Sequence, residues 1–139
     1  MKYKVFGTIF NFASYIPLAF PMYKARIGKE ENFEAVIRGF NFCEFSPWGS
    51  LLVTMPIVLF ALTYSKIKNK YKNLLLILFY MFNTVIVYNA TSAADKWIRG
   101  TADGFVHFRP YIVLYLLSMF FALACLYIHN HKYSDYCEV

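Results

Sequence analysis

The hydrophobic positions of this 139-residue chain fall into four long runs that contain no Asp, Glu, Lys or Arg. The runs hold 19 residues at 5–23, 21 at 45–65, 22 at 73–94 and 22 at 110–131. A helix needs ~20 residues to cross the ~30 Å hydrocarbon core of a bilayer, so each run is long enough to span one. The pattern therefore predicts four transmembrane helices, at about 5–23, 47–65, 73–94 and 110–130.

The composition agrees with a membrane location. The chain is 59% hydrophobic and 21% aromatic, whereas the apolar share of a soluble domain is nearer one half. Four apolar runs leave too few polar residues to cover a soluble core, and the segments between them are too short for a separate domain. The sequence predicts an all-α fold, an integral membrane four-helix bundle that forms one transmembrane domain over residues 1–139.

The segment between the first two runs, residues 29–49, has a different pattern. Its apolar residues recur at i, i+3, i+4 and i+7, which is typical of an amphipathic helix. They are Phe33, Val36, Ile37 and Phe40. Charged residues are placed to stabilise the two ends of such a helix and to pair at i, i+4. They are Glu30, Glu31, Glu34 and Arg38. We expect a short interfacial helix over about 30–40, whose four charged residues face water. Either the helix only covers the bundle, or these charged residues bind a partner that arrives from outside.

The orientation in the membrane follows from the basic residues of the short loops. The hairpin between the second and third runs has four lysines within seven residues, which are Lys66, Lys68, Lys70 and Lys72. This density favours a cytoplasmic hairpin and two cytoplasmic termini, although each side of the membrane receives seven Lys and Arg residues in total. Residues 29–49 then face the outside. The net charge of +6 is a topology signal and favours contact with anionic lipid, with no indication of nucleic-acid binding.

Inside the four runs the polar residues are uncharged, whereas ion-coupled transporters usually keep an ionisable residue there. The polar residues expected to make intramembrane contacts are Asn11, Ser14, Tyr15, Thr54, Asn83 and Thr84. Such residues most often form hydrogen bonds between helices. Lining an uncharged pore or a pocket for a lipid headgroup is the alternative.

The residues that could support chemistry are few. The expected topology places Cys43 outside, Cys125 within a helix and Cys137 inside, so we expect no disulfide within the chain. His129, His131, Asp135 and Cys137 lack the paired spacing of structural zinc sites, and a helix end followed by a solvated tail explains them more simply. No nucleophile with a paired base can be assembled around His107. We therefore expect no catalytic site, no metal site and no cofactor.

Three functions stay open. The first is a non-enzymatic sensor or interaction protein of a bacterial inner membrane, which reads an external event through residues 29–49 and relays it to a cytosolic protein partner. The second is a homo-oligomeric channel or pore-forming effector, and the third is a small lipid-modifying enzyme. Residues with AT-rich codons (Phe, Tyr, Met, Ile, Asn and Lys) number 61, against 26 for Gly, Ala, Arg and Pro. This bias indicates an AT-rich gene, which occurs in low-GC organisms and also in acquired islands. The second origin favours a phage-defence or bacteriocin-immunity module, although no motif identifies a family.

Overall fold

The computed structural model describes residues 1–27, 33–101, 104–107 and 109–134. Most of them are helical. The helices are α1 (Lys2–Ala13), α2 (Tyr15–Ala19), α3 (Pro47–Tyr64), α4 (Asn69–Thr101) and α5 (Pro110–Ser134), with a 3-10 helix at Gly39–Glu44. The strands are β1 (Pro21–Ile27), β2 (Phe33–Arg38) and β3 (Gly104–His107), which form one antiparallel sheet in the order β2-β1-β3.

Three helices of the described residues are long and apolar enough to cross a membrane: Pro47–Tyr64, Asn69–Thr101 and Pro110–Tyr133. Large apolar side chains stand on their outer surfaces, such as Phe82 and Met81 at 64% and 62% exposure. Exposing such an apolar surface to water costs free energy, whereas exposing it to lipid does not. These helices support a membrane protein.

The first hydrophobic run differs from the single helix predicted over 5–23. It forms α1 and α2, which have 12 and 5 residues and are separated at Ser14, and the chain is extended from Phe20 onward. Pro17 explains the interruption, because it has no N–H to bond the carbonyl of Ala13 and its ring crowds that carbonyl. Phe20 precedes Pro21 and is extended for the steric reason that applies before any proline. A bundle of four spanning helices is therefore not established.

The amphipathic helix predicted over 30–40 is wrong for the described part of that segment, because residues 33–38 form strand β2 and Gly39–Glu44 a 3-10 helix. The all-α prediction is confirmed only in part, because the described residues are mostly helical but also form a three-stranded sheet. A helix of about ten residues is marginal by itself, whereas β1 offers this segment a partner that satisfies backbone N–H and C=O groups. A strand rises ~3.3 Å per residue, so the Cα atoms of Glu34 and Arg38 lie ~13 Å apart and the expected i,i+4 pairing is lost.

The helices place the sheet at one end of the molecule and the lysine hairpin at the other. Helix α1 packs against α5 and α3, and α4 packs against α3 and α5. Gly7 permits the close approach of α1 to α5, since a Cβ there would lie 2.8 Å from the Leu126 side chain. Helix α4, with 33 residues, is ~50 Å long, more than the hydrocarbon core, and its last turns lie beneath the sheet.

At the hairpin end, the start of α1 meets the ends of α3 and α5. The ammonium group of Lys4 lies 4.3 Å from the ring centroid of Tyr64. The N-terminal amine of Met1 donates a hydrogen bond to Tyr133 Oη at 2.7 Å. Both ends of the described chain therefore lie on the same side as residues 65–68, opposite the sheet.

Candidate functional site

The sheet is amphipathic, with one face on the helices and one face outward. In β1, Tyr23 and Ala25 are 1% exposed and belong to the hydrophobic core, whereas Lys24 and Arg26 between them are exposed. Successive side chains of a strand point to opposite faces, so this alternation sets the orientation of β1. The outward face of β1 is basic.

Strand β2 continues the same two faces. Ile37 is 5% exposed and lies opposite Tyr23, on the buried face. Val36 lies opposite Lys24, and residues directly opposite each other in an antiparallel pair share a face. Val36 is accordingly 43% exposed, and Arg38, two residues on, is exposed as well. Glu34 lies opposite Arg26 and so takes a position on the same face. Lys24, Arg26 and Arg38, with this one acidic residue and the apolar Val36, form a surface with an excess of positive charge, which we call the outer sheet face.

The far edges of β2 and of β3 are both open within the described residues. Strand β1 is central and pairs with both neighbours, whereas β2 pairs only with β1. An unpaired strand edge presents N–H and C=O groups in a row and can accept another strand. The outer sheet face and the open edge of β2 meet at Val36.

Beneath the sheet, aromatic residues join β1 to β3. Tyr23 and His107 are opposite in the register, and their rings stack with centroids 4.2 Å apart and planes at 6°. Burial raises the pKa of Tyr23 to about 12, and the carboxylate of Asp95 acts in the same direction. Burial, with the nearby charge of Arg109, lowers the pKa of His107. Both rings are therefore uncharged at neutral pH.

Two further contacts lie close to the sheet. Within α4, Asp95 pairs with Arg99 one turn later at 2.7 Å, and both charges act on Tyr23 of β1. The 3-10 helix is pressed against the first turn of α3, where a Cβ on Gly49 would lie 2.0 Å from the Phe42 carbonyl oxygen. Only glycine permits this approach, so the 3-10 helix that follows β2 is held against α3 by backbone packing.

An open groove of about 680 Å³ lies beside the 3-10 helix and runs along α3, lined by residues between Cys43 and Thr54. The Ser46 hydroxyl oxygen in it is buried and has no hydrogen-bond partner among the described residues. The thiol of Cys43 is exposed and lies 3.0 Å from the Phe40 carbonyl oxygen. Cys43 and Cys125 are both free, and Cys137 lies outside the described residues.

The four residues predicted to bind a partner are distributed differently from the expectation. Glu30 and Glu31 lie outside the described residues. Glu34 lies in β2 opposite Arg26. Arg38 ends β2, where its N–H donates to Asn41 Oδ1 at 3.0 Å, and its side chain is on the outer sheet face.

Three of the predicted intramembrane residues make hydrogen bonds between helices. Asn11 donates through Nδ2 to the Pro56 carbonyl at 2.8 Å, and Tyr15 Oη donates to the Val53 carbonyl at 2.7 Å. Asn83 Oδ1 accepts a bond from Tyr115 Oη at 3.0 Å. Tyr115 is fully buried, yet nothing in the sequence distinguishes it from other tyrosines of the four runs.

The other three bond to backbone carbonyls nearby in the chain. Ser14 Oγ donates to the Asn11 carbonyl. Thr54 and Thr84 each donate to a carbonyl of the preceding turn of their own helices, at 2.9 and 3.0 Å.

The predicted basic loop divides into exposed and buried lysines. Lys66, Lys68 and Lys70 are exposed. Lys72 is 8% exposed, and its Nζ donates to the Thr63 carbonyl at 3.1 Å, near the end of α3. Its charge there complements the negative end of the α3 dipole.

Lys24, Arg26 and Val36 are the residues of this site that sequence reasoning missed. The strict alternation of residues 23–27, YKARI, was a signal for a half-buried strand. The hydrophobic run 5–23 overlapped it and concealed it. Comparison with protein-family models, curated proteins and solved structures finds no match to this chain.

Proposed function

We propose that this protein is a non-enzymatic membrane sensor or interaction protein, whose outer sheet face receives an acidic, extended segment of a partner. The observation that carries the proposal is the coincidence of two features at one place. Lys24, Arg26 and Arg38 give a basic surface, and the open edge of β2 adjoins it at the exposed Val36.

This arrangement suits recognition by strand addition. Main-chain hydrogen bonds along an open edge supply affinity, and the side chains of alternate residues supply specificity. Charges around such a surface act mainly on the rate of encounter and the choice of partner. Three cations against one acidic residue, Glu34, around the apolar Val36 favour a segment that alternates acidic and apolar side chains.

We further propose that the signal passes to the opposite end of the molecule. Helix α4 is a continuous link from Arg99, under the sheet, to the start of α4 beside the lysine hairpin. A cytosolic protein partner would there meet the exposed Lys66, Lys68 and Lys70. This proposal places the protein in the inner membrane with both termini and the hairpin in the cytoplasm, with α1 and α2 completing a four-helix bundle across the membrane.

A phage-defence or bacteriocin-immunity module is the biological setting that we propose, on the codon bias and small size of the chain. We also propose that the protein forms a homo-oligomer, which native mass spectrometry in mild detergent tests. A homo-oligomeric channel and a lipid-modifying enzyme remain the alternatives. The described hydrogen bonds of the polar residues predicted for the membrane stay within the chain, whereas Asn11 Oδ1 and Asn83 Nδ2 have no partner among the described residues.

Photo-crosslinking in living cells tests the recognition proposal. A benzophenone side chain in place of Val36 should form an adduct with a partner, and mass spectrometry should map it to an acidic segment. The same group in place of Ile57, which is 58% exposed on the apolar surface of α3, is the matched control and should give no such adduct.

The double variant Lys24→Glu/Arg26→Glu should abolish the adduct at 36 while leaving membrane abundance unchanged, because exposed charges contribute little to stability. An adduct with lipid only, or one that survives the charge reversal, would contradict recognition of an acidic partner.

A further inference from the structure

The surface of α4 and α5 carries an apolar groove that the sensor proposal does not use. It has a volume of about 300 Å³ and lies toward the hairpin end of both helices. Its apolar and aromatic lining includes Leu76 and Tyr80 from α4 and Ala124, Tyr127 and Ile128 from α5. Both helices are candidate membrane spans, so this groove opens toward lipid.

The two helices that form the groove carry basic residues beyond its hairpin end. On α5, His131 and Lys132 follow Tyr127 and Ile128 by one turn and share their faces. The rings of Tyr127 and His131 are 6.5 Å apart. On α4, the face of the groove residue Ile77 continues through Asn73 to Lys70. Lys70, His131 and Lys132 are all exposed, and we call them the basic mouth.

Asn73 adds a polar group between the groove and this mouth. Its Oδ1 atom is buried and has no hydrogen-bond partner among the described residues. Buried polar atoms are normally hydrogen-bonded, so an unpartnered acceptor calls for a donor from outside the described residues. A headgroup hydroxyl or ammonium group could supply that donor.

Among the described residues, the charge around the basic mouth is positive. Every Asp and Glu that the structure describes lies at the sheet end, namely Glu34, Glu44 and Asp95. The described lysines of the hairpin end are Lys2, Lys4, Lys66, Lys68, Lys70, Lys72 and Lys132. A ligand for this place should therefore be apolar over the groove and anionic at the mouth.

We propose that the α4–α5 groove binds one anionic glycerophospholipid, with an acyl chain in the groove and the phosphate at the basic mouth. The groove alone fits any acyl chain. The basic mouth adds a preference for an anionic headgroup, and a lysine close to an anionic lipid surface strengthens binding by roughly fivefold.

Native mass spectrometry of the detergent-solubilised protein tests this inference. The protein is titrated with palmitoyl-oleoyl phosphatidylglycerol and, separately, with the phosphatidylcholine of the same chains. We expect phosphatidylglycerol to bind roughly tenfold or more tightly, and the variant Lys70→Gln/Lys132→Gln to bind both lipids equally. Lys2→Gln/Lys66→Gln removes two exposed lysines from the same end and should keep the preference.

Filling the groove gives a second, independent readout. Ala124→Leu should weaken binding of both lipids, whereas Ala61→Leu, on an exposed position of α3 outside the groove, should not. Circular dichroism and size-exclusion chromatography show whether each variant is folded. The proposal would be overturned if the wild type bound the two lipids with equal affinity. It would also be overturned if both double lysine variants lost the preference for phosphatidylglycerol equally. If the wild type instead forms dimers without lipid adducts, and Ala124→Leu dissociates these dimers, the groove is a contact between two copies of the chain and the lipid proposal is wrong.

Discussion

Tyr23 and His107 stack across the sheet with their ring centroids 4.2 Å apart, and this pair joins the central strand to β3 beneath the outer sheet face. The imidazole is partly buried and near Arg109, so its pKa is lowered in the folded protein. The unfolded chain, whose histidine pKa is about 6.5, then binds the proton more tightly. The neutral His107 therefore contributes to the stability of the fold above pH ~6.5, the histidine pKa of the unfolded chain, and this contribution is lost as the pH falls below that value.

We therefore predict that the sheet loosens on acidification. Hydrogen exchange of residues 21–27, corrected for the intrinsic effect of pH, should become faster from about pH 7.5 to about 5.5. His107→Phe keeps an aromatic ring over Tyr23 without a titrating group and should flatten this dependence. His131→Gln, at the hairpin end of the molecule, should leave the pH dependence unchanged. If His131→Gln removes the pH dependence instead, His107 is not the group that causes it.

The hydrogen bond between Tyr115 and Asn83 should stabilise the helices only modestly. Tyr115→Phe removes the donor and should cost ~0.6 kcal/mol, up to ~1.7 kcal/mol, as measured for such bonds in membranes. Tyr88→Phe, at a residue with 73% exposure, is the matched control and should be neutral. Reversible unfolding in bicelles measures both. A double-mutant cycle with Asn83→Ala should give a coupling of the same size, and no coupling would exclude the bond.

Gly49 and Gly100 should respond in opposite ways to the same substitution. Gly49→Ala places a Cβ against the Phe42 carbonyl and must displace the 3-10 helix, which should cost ~1–3 kcal/mol. Gly100→Ala lies in helix α4 with no atom within 4 Å of the new Cβ, and should stabilise by up to ~1 kcal/mol. Unfolding monitored by tryptophan fluorescence compares the two. A neutral Gly49→Ala would mean that α3 and the 3-10 helix are not in close contact.

Cys43 is a native reporter of the proposed topology, because it is exposed at the sheet end. In a variant with Cys125 and Cys137 replaced by Ser, a membrane-impermeant maleimide should label Cys43 in spheroplasts. A second variant, with Lys68→Cys and Cys43→Ser added, should be labelled only after the membrane is opened. The reverse labelling pattern would show that the orientation is opposite to the one proposed and that the sheet faces the cytoplasm.

The sequence could predict the helices from the length of the apolar runs, since an uncharged run of about 20 residues has few alternatives. Helix α4 nevertheless continues past Asp95 to Thr101, because the charged residues of its last turns lie beyond the apolar run. Helix α1 ends early, since Pro17 interrupts an otherwise apolar run. Hydropathy reports where lipid surrounds the chain, and it reports poorly where a helix ends.

The sheet could not be predicted with the same methods. The spacing of Phe33, Val36, Ile37 and Phe40 fits a helix, yet tertiary pairing with β1 outweighs this local preference. Strand β3 has only four residues, and its pairing with β1 spans about 80 residues of sequence. The outer sheet face depends on these pairings, so a single sequence did not reveal it.

Cysteine labelling at position 36 tests the recognition proposal most directly. A Val36→Cys variant without other cysteines is labelled with a maleimide in native membranes and again after purification. If a partner strand occupies the edge of β2, labelling should be several-fold slower in the native membranes, and Lys24→Glu/Arg26→Glu should restore the fast rate. A cysteine at Gly100, exposed and away from that edge, should react equally in both. Equal rates at position 36 in the two preparations would contradict the account.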